Sequence, residues 1–523
     1  MRRPRSKFAV PVAALLAAAA LVMLPGCRTS PTPAEPGTLV FLIESMPTNL
    51  DPRIGTDAQS QRLHSLIYSG LLGRDEQMNL TPDLAERWEN PDPLTYVFHL
   101  RRDVQFHDGR PLTAADVKFT FDSIITGAIR TAKRGTFRVV ISVETPDDHT
   151  VVFRLSEPFA SFLWNVTRAA VGIVPRAENP EHTYSEQPIG SGPFRFVSKR
   201  QDEEVVLERN AGYFAADQLT GNARRVRFRI VPDATVRALE LQKGSADIAL
   251  SSLSPDVVPV LAARDDIDVT SQPGSIYAYL ALNLEDPILA RVEVRQALAY
   301  ATDRESLVRH LLRGQARIAH SLLPPNHWAY EPDVRQYHHD PARADALLDA
   351  AGFPRAADGL RFTLTMKTST DELSRLIAAV LQDQWRRVGV RLELRPFELA
   401  TLLADIARGS FQLYTLRWVG ANNDPDIFEF VFHSRKMPPE GANRGRYRNA
   451  RLDALVDAAR IESDRARRKQ LYSEVQKIVA EDLPYIHLWH MDNVAVHRAR
   501  VTNVVLPPAG DYDFVANVRI AER

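Results

Sequence analysis

FTLTMKTSTDELSRLIAAVLQDQWRRVGVRLELRPFELATLLADIARGSFQLYTLRW, residues 362–418, is the stretch that decides the fold class of this chain. Apolar side chains alternate from Phe362 to Met366, as on a half-buried strand, and then recur at helical spacing up to Gly389, which is placed to close the helix. A second strand, a second helix and a third strand follow over 390–394, 399–406 and 411–418. This β-α-β-α-β order predicts an α/β protein with a mostly parallel sheet flanked by helices.

Similar patterns extend toward the N-terminus. Asp340 and Pro341 are placed to cap and begin a helix that ends at Gly352. Farther upstream, a strand, a helix closed by Gly244 and another strand are predicted over 228–230, 236–243 and 247–250. Residues 71–187 are richer in short strands and turns. These patterns predict two α/β lobes and a smaller mixed α+β subdomain.

The charge balance and the single cysteine exclude several classes of protein. The 523 residues include 65 Lys and Arg against 65 Asp and Glu, so the chain lacks the basic excess of a nucleic-acid binder. One cysteine cannot form an internal disulfide or a multi-cysteine zinc site. No nucleophile-elbow, HExxH or phosphate-loop motif occurs, so we predict a protein that is not an enzyme and has no cofactor.

Two further clusters have ordinary interpretations. His487 and His490 lie at i, i+3 in an apolar run, and we interpret them as solvated or core histidines rather than metal ligands. The basic residues over 465–469 lie among acids on a helix with an apolar face, which predicts a solvated surface. No metal site is predicted.

The N-terminal segment has the pattern of a secretion signal. Four basic residues and no acid precede an apolar run over 8–24. The run ends in Leu24-Pro25-Gly26-Cys27, which resembles the lipobox of bacterial lipoproteins, whose cysteine is lipidated. An uncleaved membrane anchor and a buried free cysteine are the alternatives. We predict a signal peptide over 1–26, lipidation at Cys27, and a proline-rich tether over 27–37.

Two loops that follow predicted strands are candidate ligand contacts, because ligands of open α/β sheets lie at the carboxyl ends of strands. The first loop contains Ser251 and Ser252. The second begins with Trp418, which offers a stacking face, and it supplies close backbone approach and hydrogen-bonding groups through Gly420, Asn422, Asn423 and Asp424. The alternatives are a core position for Trp418, a turn role for the asparagines, and a helix N-cap role for Asp424 before Pro425.

Residues 80–124, LTPDLAERWENPDPLTYVFHLRRDVQFHDGRPLTAADVKFTFDSI, resemble the signature region of the family 5 extracellular solute-binding proteins, which include the oligopeptide- and dipeptide-binding proteins of ABC transporters. Further matches occur in order at 49–52, 68–72, 190–194, 294–298 and 418–428. The resemblance implies a two-lobed, type II periplasmic-binding-protein-like fold with an extra subdomain, and chain crossings near Asn283 and 490–500. The implied ranges are 38–70, 188–283 and 496–523 for lobe I, 71–187 for the extra subdomain, and 284–495 for lobe II.

The resemblance also implies a function. The chain would be the substrate-binding lipoprotein of an ABC importer, a monomer in the periplasm or at the cell surface that delivers a peptide or related solute to permease and ATPase subunits. Asn49 and the loops at Ser251 and Trp418 would line the cleft. Peptide-binding relatives usually hold the peptide ammonium with an Asp where this chain has Ala421. A metal chelate, an oligosaccharide or an opine is therefore the alternative solute, and an anchored hydrolase is a more distant alternative.

Overall fold

The computed structural model describes residues 36–75, 79–168, 170–179, 181–418 and 424–521. The predicted signal segment, the lipidation site Cys27, and residues 419–423 of the second ligand loop lie outside the described residues. The loop residues left out include the predicted solute contacts Gly420, Ala421, Asn422 and Asn423.

The strands of the described residues are named in chain order. They are β1 Thr38–Ile43, β2 Leu72–Arg74, β3 Leu80–Pro82, β4 Ala85–Asp92, β5 Thr95–Leu100, β6 Val140–Asp147, β7 Thr150–Leu155, β8 Phe194–Arg200, β9 Glu204–Arg209, β10 Arg225–Ile230, β11 Ile248–Leu250, β12 Ile267–Leu282, β13 Ala316–Ile318, β14 Phe362–Ser369, β15 Val390–Phe397, β16 Leu413–Trp418, β17 Tyr485–Arg498, β18 Val501–Thr502 and β19 Arg519–Ile520.

The α-helices are named in the same way. They are α1 Ala58–Ile67, α2 Ala114–Ile125, α3 Phe162–Asn165, α4 Ala234–Lys243, α5 Val257–Ala262, α6 Val292–Tyr300, α7 Arg304–Ser306, α8 Pro341–Ala350, α9 Glu372–Arg387, α10 Leu399–Arg408, α11 Ile427–Phe432, α12 Ala450–Ile461 and α13 Arg465–Asp482. Short 3₁₀ or π segments lie at Ala132–Phe137, Ala216–Gln218, Leu307–Leu311 and Asp513–Asn517.

One large sheet runs through most of the described chain, in the order β15-β14-β16-β12-β17-β11-β1-β10-β9-β8, with β13 beside β17. At one end, β14 pairs in parallel with β15 and β16, as the β-α-β-α-β pattern predicts. Toward the other end, β1 pairs in parallel with β10 and β11. The predicted α/β class is therefore confirmed, and the antiparallel strands β12 and β17 connect the two parallel groups.

The described chain contains separate hydrophobic cores, and each body of the fold is built around its own core or cores. Lobe I is the body around a core drawn from 39–68, 174–250 and 495–520. The extra subdomain is the body around a core drawn from 71–173, which contains the antiparallel sheet β4-β5-β7-β6. Lobe II contains two cores, one on each face of its part of the sheet, drawn from 277–489. Two lobes and an extra subdomain are present, and their predicted end residues stay predictions.

The two long strands β12 and β17 cross from lobe I to lobe II beside a break in their pairing. The register shifts between Pro273 and Ile276, opposite Asp492 and Met491. Gly274 lies at this break, where a Cβ atom would stand 2.5 Å from the Met491 carbonyl oxygen. The crossing near Asn283 that the resemblance implies stays a prediction. The Asn283 side-chain amide donates to the Phe411 carbonyl at 2.9 Å.

Local sequence signals account for the helix ends of lobe II. The Asp340 carboxylate accepts the Arg343 backbone N–H at 2.9 Å and caps α8, as predicted. Asp371 caps α9 by accepting the Ser374 backbone N–H at 3.0 Å. Gly389 follows that helix with a φ of 80°, which confirms its predicted closing role, since glycine adopts this conformation without a Cβ clash. Gly389 leads directly into β15, which begins at Val390.

Candidate ligand-binding site

The carboxyl ends of β11 in lobe I and of β16 in lobe II both lie beside the crossing strands, and the space between these two ends is called the cleft. In lobe I, Leu250 at the end of β11 lies opposite Ala495 of β17. In lobe II, Trp418 at the end of β16 lies opposite Tyr277 of β12, which lies opposite His490 of β17. From His490 to Ala495, β17 spans about 16 Å at roughly 3.3 Å per residue. The two predicted ligand loops therefore begin on opposite sides of a cleft crossed by β12 and β17.

The serine loop lies at the lobe I edge of this cleft. Ser251 has a φ of 46° and is bound to the crossing strand, since its N–H donates to the Val494 carbonyl at 2.7 Å. Its hydroxyl accepts the Val494 N–H at 3.1 Å. The Ser252 carbonyl accepts from the Arg237 guanidinium at 3.0 Å, whereas its buried hydroxyl has no partner among the described residues. Of the two loop serines, Ser252 is therefore the one whose hydroxyl makes no hydrogen bond with a described residue.

Asn49 organises the turn after β1. Its side-chain oxygen accepts from the Asp51 N–H at 2.8 Å and from the Ser185 hydroxyl at 2.9 Å. Its N–H donates to the Ser60 hydroxyl at 3.1 Å, and its carbonyl contacts His64 Nε2 at 3.0 Å. None of these contacts of Asn49 is with lobe II, and its predicted contact with a solute stays a prediction.

Trp418 has the core position that is one of its two predicted roles. It packs against the lobe II core, with its ring 6.2 Å from that of Tyr279 at an interplanar angle of 13°. The Arg444 guanidinium lies 5.4 Å from the Trp418 ring centroid, and Phe430 contacts the ring edge-on at 6.3 Å. The residue is half-buried at the edge of the core, and its predicted contact with a solute stays a prediction.

Asp424 does more than the N-cap role that its place before Pro425 predicts. Its Oδ1 accepts the Asp426 N–H at 2.9 Å, whereas Asp426, at the N-cap position of α11, makes no side-chain cap hydrogen bond. The Asp424 carboxylate pairs with Arg468 at 2.6 and 2.7 Å. It also accepts from the Ser161 hydroxyl at 2.9 Å. Burial disfavours ionisation of Asp424, but the Arg468 guanidinium outweighs this effect and holds the pKa of Asp424 below its ordinary value.

Arg468 is an exception to the solvated face that the sequence predicts over 465–469. Arg465, Arg467 and Lys469 are exposed, as predicted, but Arg468 is 4 % exposed. Its guanidinium bonds Asp424 and Ser161 and also donates to the Ala459 carbonyl at 3.0 Å. Charge pattern along the helix did not reveal this position, because its partners come from distant segments of the chain. Helical spacing places Arg468 on the same side of α13 as the predicted apolar residues Leu471 and Val475, but a charged residue on that side is buried only where it meets a partner.

A cavity of about 180 Å³ lies at the carboxyl ends of the lobe II strands. Its polar lining is Ser369, Asp371, Ser374, Thr415 and Arg417, and its apolar lining includes Trp489 and Met491 of β17. Asp371 is committed to Ser374 as a cap, whereas Arg417 is exposed and has no carboxylate partner among the described residues. Sequence reasoning missed Arg417, although its place at the end of a predicted strand was a usable signal.

The backbone of β16 has an open edge beside this cavity. β16 pairs with β14 only at Leu413 and Tyr414, although its pairing with β12 continues to Trp418. In the described part of the chain, residues 415–418 therefore have a strand on one side only. Backbone groups at such an edge can bond an added extended chain.

The histidines of β17 are buried, neutral core residues. His487 Nδ1 contacts the Tyr277 hydroxyl, and His490 Nε2 contacts the Ser321 carbonyl at 3.2 Å. Burial lowers the pKa of His487 to about 3 and that of His490 to about 4. Over the described ranges, no group of three or more His, Cys, Asp or Glu side chains is arranged to hold a metal ion.

Two lobes joined by crossing strands, with candidate contacts on both sides of the gap, define a two-lobed solute-binding protein. The family model described as bacterial extracellular solute-binding proteins, family 5 (Middle), matches residues 79–437. The chain belongs to this family. Since its members are binding proteins, membership confirms the expectation of a binding protein rather than an enzyme.

Relatives align over nearly their whole length. The chain is 28% identical to the dipeptide-binding protein of Escherichia coli (strain K12), over 91% of this chain and 94% of that protein. It is 31% identical to a probable di/tripeptide-binding protein 5 of Pseudomonas aeruginosa (strain UCBPP-PA14), over 92% and 95%. The structure of NikZ from Campylobacter jejuni in complex with Ni(L-His) matches with a TM-score of 0.78 and 27% identity, covering 92% and 99%. These matches confirm the two-lobed type II fold.

The family places the chain outside the cytoplasm, as an extracellular solute-binding protein of the kind that serves ABC transporters. Within the described ranges, no helix is both long enough and apolar enough to cross a membrane.

Proposed function

We propose that this protein captures a peptide, or a related small solute with a carboxylate, between its lobes and delivers it to an ABC permease. The observation that carries the proposal is the open edge of β16 beside Arg417 at the cleft. An extended peptide can pair with such an edge through main-chain hydrogen bonds, which are insensitive to side-chain identity. The Arg417 guanidinium is suited to a carboxylate, since the two groups can form paired charge-assisted hydrogen bonds.

Closure requires that the solute contact both lobes. A solute with equal affinity for the open and closed forms would not shift the equilibrium between them. The free Ser252 hydroxyl lies on the lobe I side, and Trp418 and Arg417 lie on the lobe II side. We include Ser251, Asn49 and Gly420 to Asn423 as further solute contacts, and we assign Asp424 an indirect role because its carboxylate is held by Arg468.

Ala421 favours a second class of solute. A peptide ammonium enclosed without a carboxylate partner would carry an unpaired buried charge, which costs several kcal/mol. A solute that presents no amine at this point avoids that cost. The chemistry of the cleft is therefore compatible with a metal chelate, an opine or an oligosaccharide, of which the first two can carry carboxylates for Arg417.

The proposal extends to the anchor, the partners and the lobes. Lipidation at Cys27, after removal of residues 1–26, would hold a monomer at a bacterial membrane through the tether 27–37, close to permease and ATPase subunits.

We keep the sequence-derived lobe ranges, except that we place the crossing on β12 at residues 273–276. The register shift and the close approach at Gly274 support that placement.

Native mass spectrometry of the protein purified from its own cells tests the proposal. A ladder of retained peptides would support peptide capture, and a single retained mass would favour the second class of solute. The matched control is the same protein after unfolding, dialysis and refolding, which removes retained solute. Hydrolytic turnover of the recovered solute would contradict a binding function.

A further inference from the structure

The extra subdomain and lobe II meet at a small polar contact centred on Ser161. The Ser161 hydroxyl donates to Asp424 Oδ1 at 2.9 Å and accepts from the Arg468 guanidinium at 3.0 Å. These three side chains are 4 %, 8 % and 4 % exposed. We propose that residues 157–161 are a clasp through which the extra subdomain holds lobe II in its closed arrangement.

The extra subdomain is fixed to lobe I, so it follows that lobe when the lobes separate. Arg53 is fully buried, pairs with Asp51 at 2.7 Å and donates to the Ser123 hydroxyl of the extra subdomain at 3.1 Å. The Lys133 ammonium donates to the carbonyls of Pro52 and Ala170 at 2.6 Å each. Rotation of lobe II about β12 and β17 would therefore break the contacts of the clasp and leave these contacts intact.

Three more contacts belong to the clasp. The Ala160 N–H donates to the Arg460 carbonyl of lobe II at 2.8 Å. The Arg460 guanidinium lies 3.6 Å from the Glu157 carboxylate and 5.5 Å from the centroid of the Phe159 ring. The segment 157–161 thus contacts lobe II through side chains and through its backbone.

The clasp borders a pocket that is partly open to solvent. The pocket has a volume of about 470 Å³ and is lined by Trp88, Tyr96 and Trp164 on the subdomain side and by Trp328 on the lobe II side. On its lobe II wall, Arg465 donates to the Asn79 side chain across the gap at 2.8 Å. Solvent beside the clasp can replace its hydrogen bonds when the bodies separate, so the net cost of breaking each one is modest.

Asp424 connects the clasp to the solute site. It follows directly after the predicted ligand loop that begins at Trp418, and its carboxylate is the acceptor for Ser161. A solute that positions this loop would also position the acceptor of the clasp. The clasp presupposes the proposed closure of the lobes, but it does not depend on which solute binds.

Hydrogen exchange by mass spectrometry on the full-length protein without added solute tests the clasp. Ser161→Ala removes the hydroxyl and leaves the Asp424–Arg468 pair within lobe II. We expect exchange of the Ala160 amide, and of the segment 157–161, to become about three- to tenfold faster, the change in an opening equilibrium expected from one lost hydrogen bond. Small-angle X-ray scattering should show a larger radius of gyration.

Two variants serve as controls. Ser156→Ala makes the same chemical change at a hydroxyl that donates to Val139 inside the subdomain, and it should leave both measurements unchanged. Ser161→Thr keeps a hydroxyl and should restore slow exchange. Unchanged exchange and radius in Ser161→Ala would overturn the proposal. Faster exchange throughout strands β4 to β7 would also overturn it, because Ser161 would then support the fold of the subdomain. Because no solute is used, failure here is distinct from failure of the proposed function.

Discussion

Asp424 and Arg468 form a two-point ion pair in which each carboxylate oxygen faces one terminal guanidinium nitrogen, at 2.6 and 2.7 Å. The residues come from the segment before α11 and from α13, and both are largely buried. Burial disfavours the charged form of each group, but the attraction between the two charges outweighs this effect. The pKa of Asp424 is therefore lowered and that of Arg468 is raised. Neither charge is tolerable at this position without the other.

Replacing Asp424 should therefore be strongly destabilising. Asp424→Asn removes the carboxylate that pairs with the buried Arg468 charge, and we expect a loss of about 3 kcal/mol in the free energy of unfolding. Urea denaturation measures it. Asp383→Asn, in an exposed pairing with Arg386 and Arg387, is the control and should leave the midpoint unchanged. Equal midpoints for the two variants would contradict the importance of the buried pair.

The stability contribution of Asp426 should depend on pH. Burial, followed by the nearby charges of Asp424 and Glu429, raises the pKa of Asp426 from 3.8 to about 7 in the folded protein. Between pH 4 and pH 7 the folded state holds a proton that the unfolded chain has lost, so this group destabilises the fold progressively as pH rises. Asp426→Asn should thus gain more stability over the wild type at pH 8 than at pH 5, by thermal unfolding at both pH values. An equal gain at both would contradict the raised pKa.

Arg417 should contribute to solute binding through its charge. Arg417→Gln should weaken binding of a free-carboxylate peptide about tenfold, as expected for the loss of one charge-assisted hydrogen bond. Isothermal titration calorimetry measures the affinity. Arg386→Gln, on the exposed face of α9, is the control. The amide of the same peptide should bind both variants alike, and a tenfold loss for the amide as well would show that Arg417 does not read the carboxylate.

Ala421 should determine how the site treats an ammonium group. Ala421→Asp should tighten binding of peptides with a free amine if their amine reaches this loop, because the new carboxylate would pair with it. The N-acetylated peptide should show no gain. Unchanged or weaker binding of the free-amine peptide by calorimetry would place the amine elsewhere.

Gly274 should be required where β12 crosses between the lobes. In Gly274→Ala the new Cβ would meet the Met491 carbonyl oxygen, and we expect a loss of about 1–3 kcal/mol in urea denaturation. Gly135→Ala is the matched control, since no atom lies within 4 Å of its Cβ position. Equal stability of the two variants would show that β12 and β17 accommodate a Cβ atom at this break and that Gly274 is not required there.

Local signals in the sequence predicted much of lobe II. Alternation over β14 and spacing over α9 predicted strand and helix because one face of each must be apolar to pack on the core. Asp340, Pro341 and Gly389 predicted helix ends because capping depends on neighbours within a few residues. The third strand begins at Leu413 rather than at Phe411, whose carbonyl is taken by the Asn283 side chain.

The sequence by itself therefore determined the α/β class, the order of the lobes, the family and the place of Trp418 at a strand end, since each of these depends on local pattern or on ordered motifs. Only the tertiary structure decided that Asp424 is an ion-pair partner, that Arg468 is buried, and that Ser161 joins them. The physical reason is that a charge is buried only where a partner meets it. Residues 161, 424 and 468 are brought together by the packing of the extra subdomain on lobe II, which no local pattern encodes.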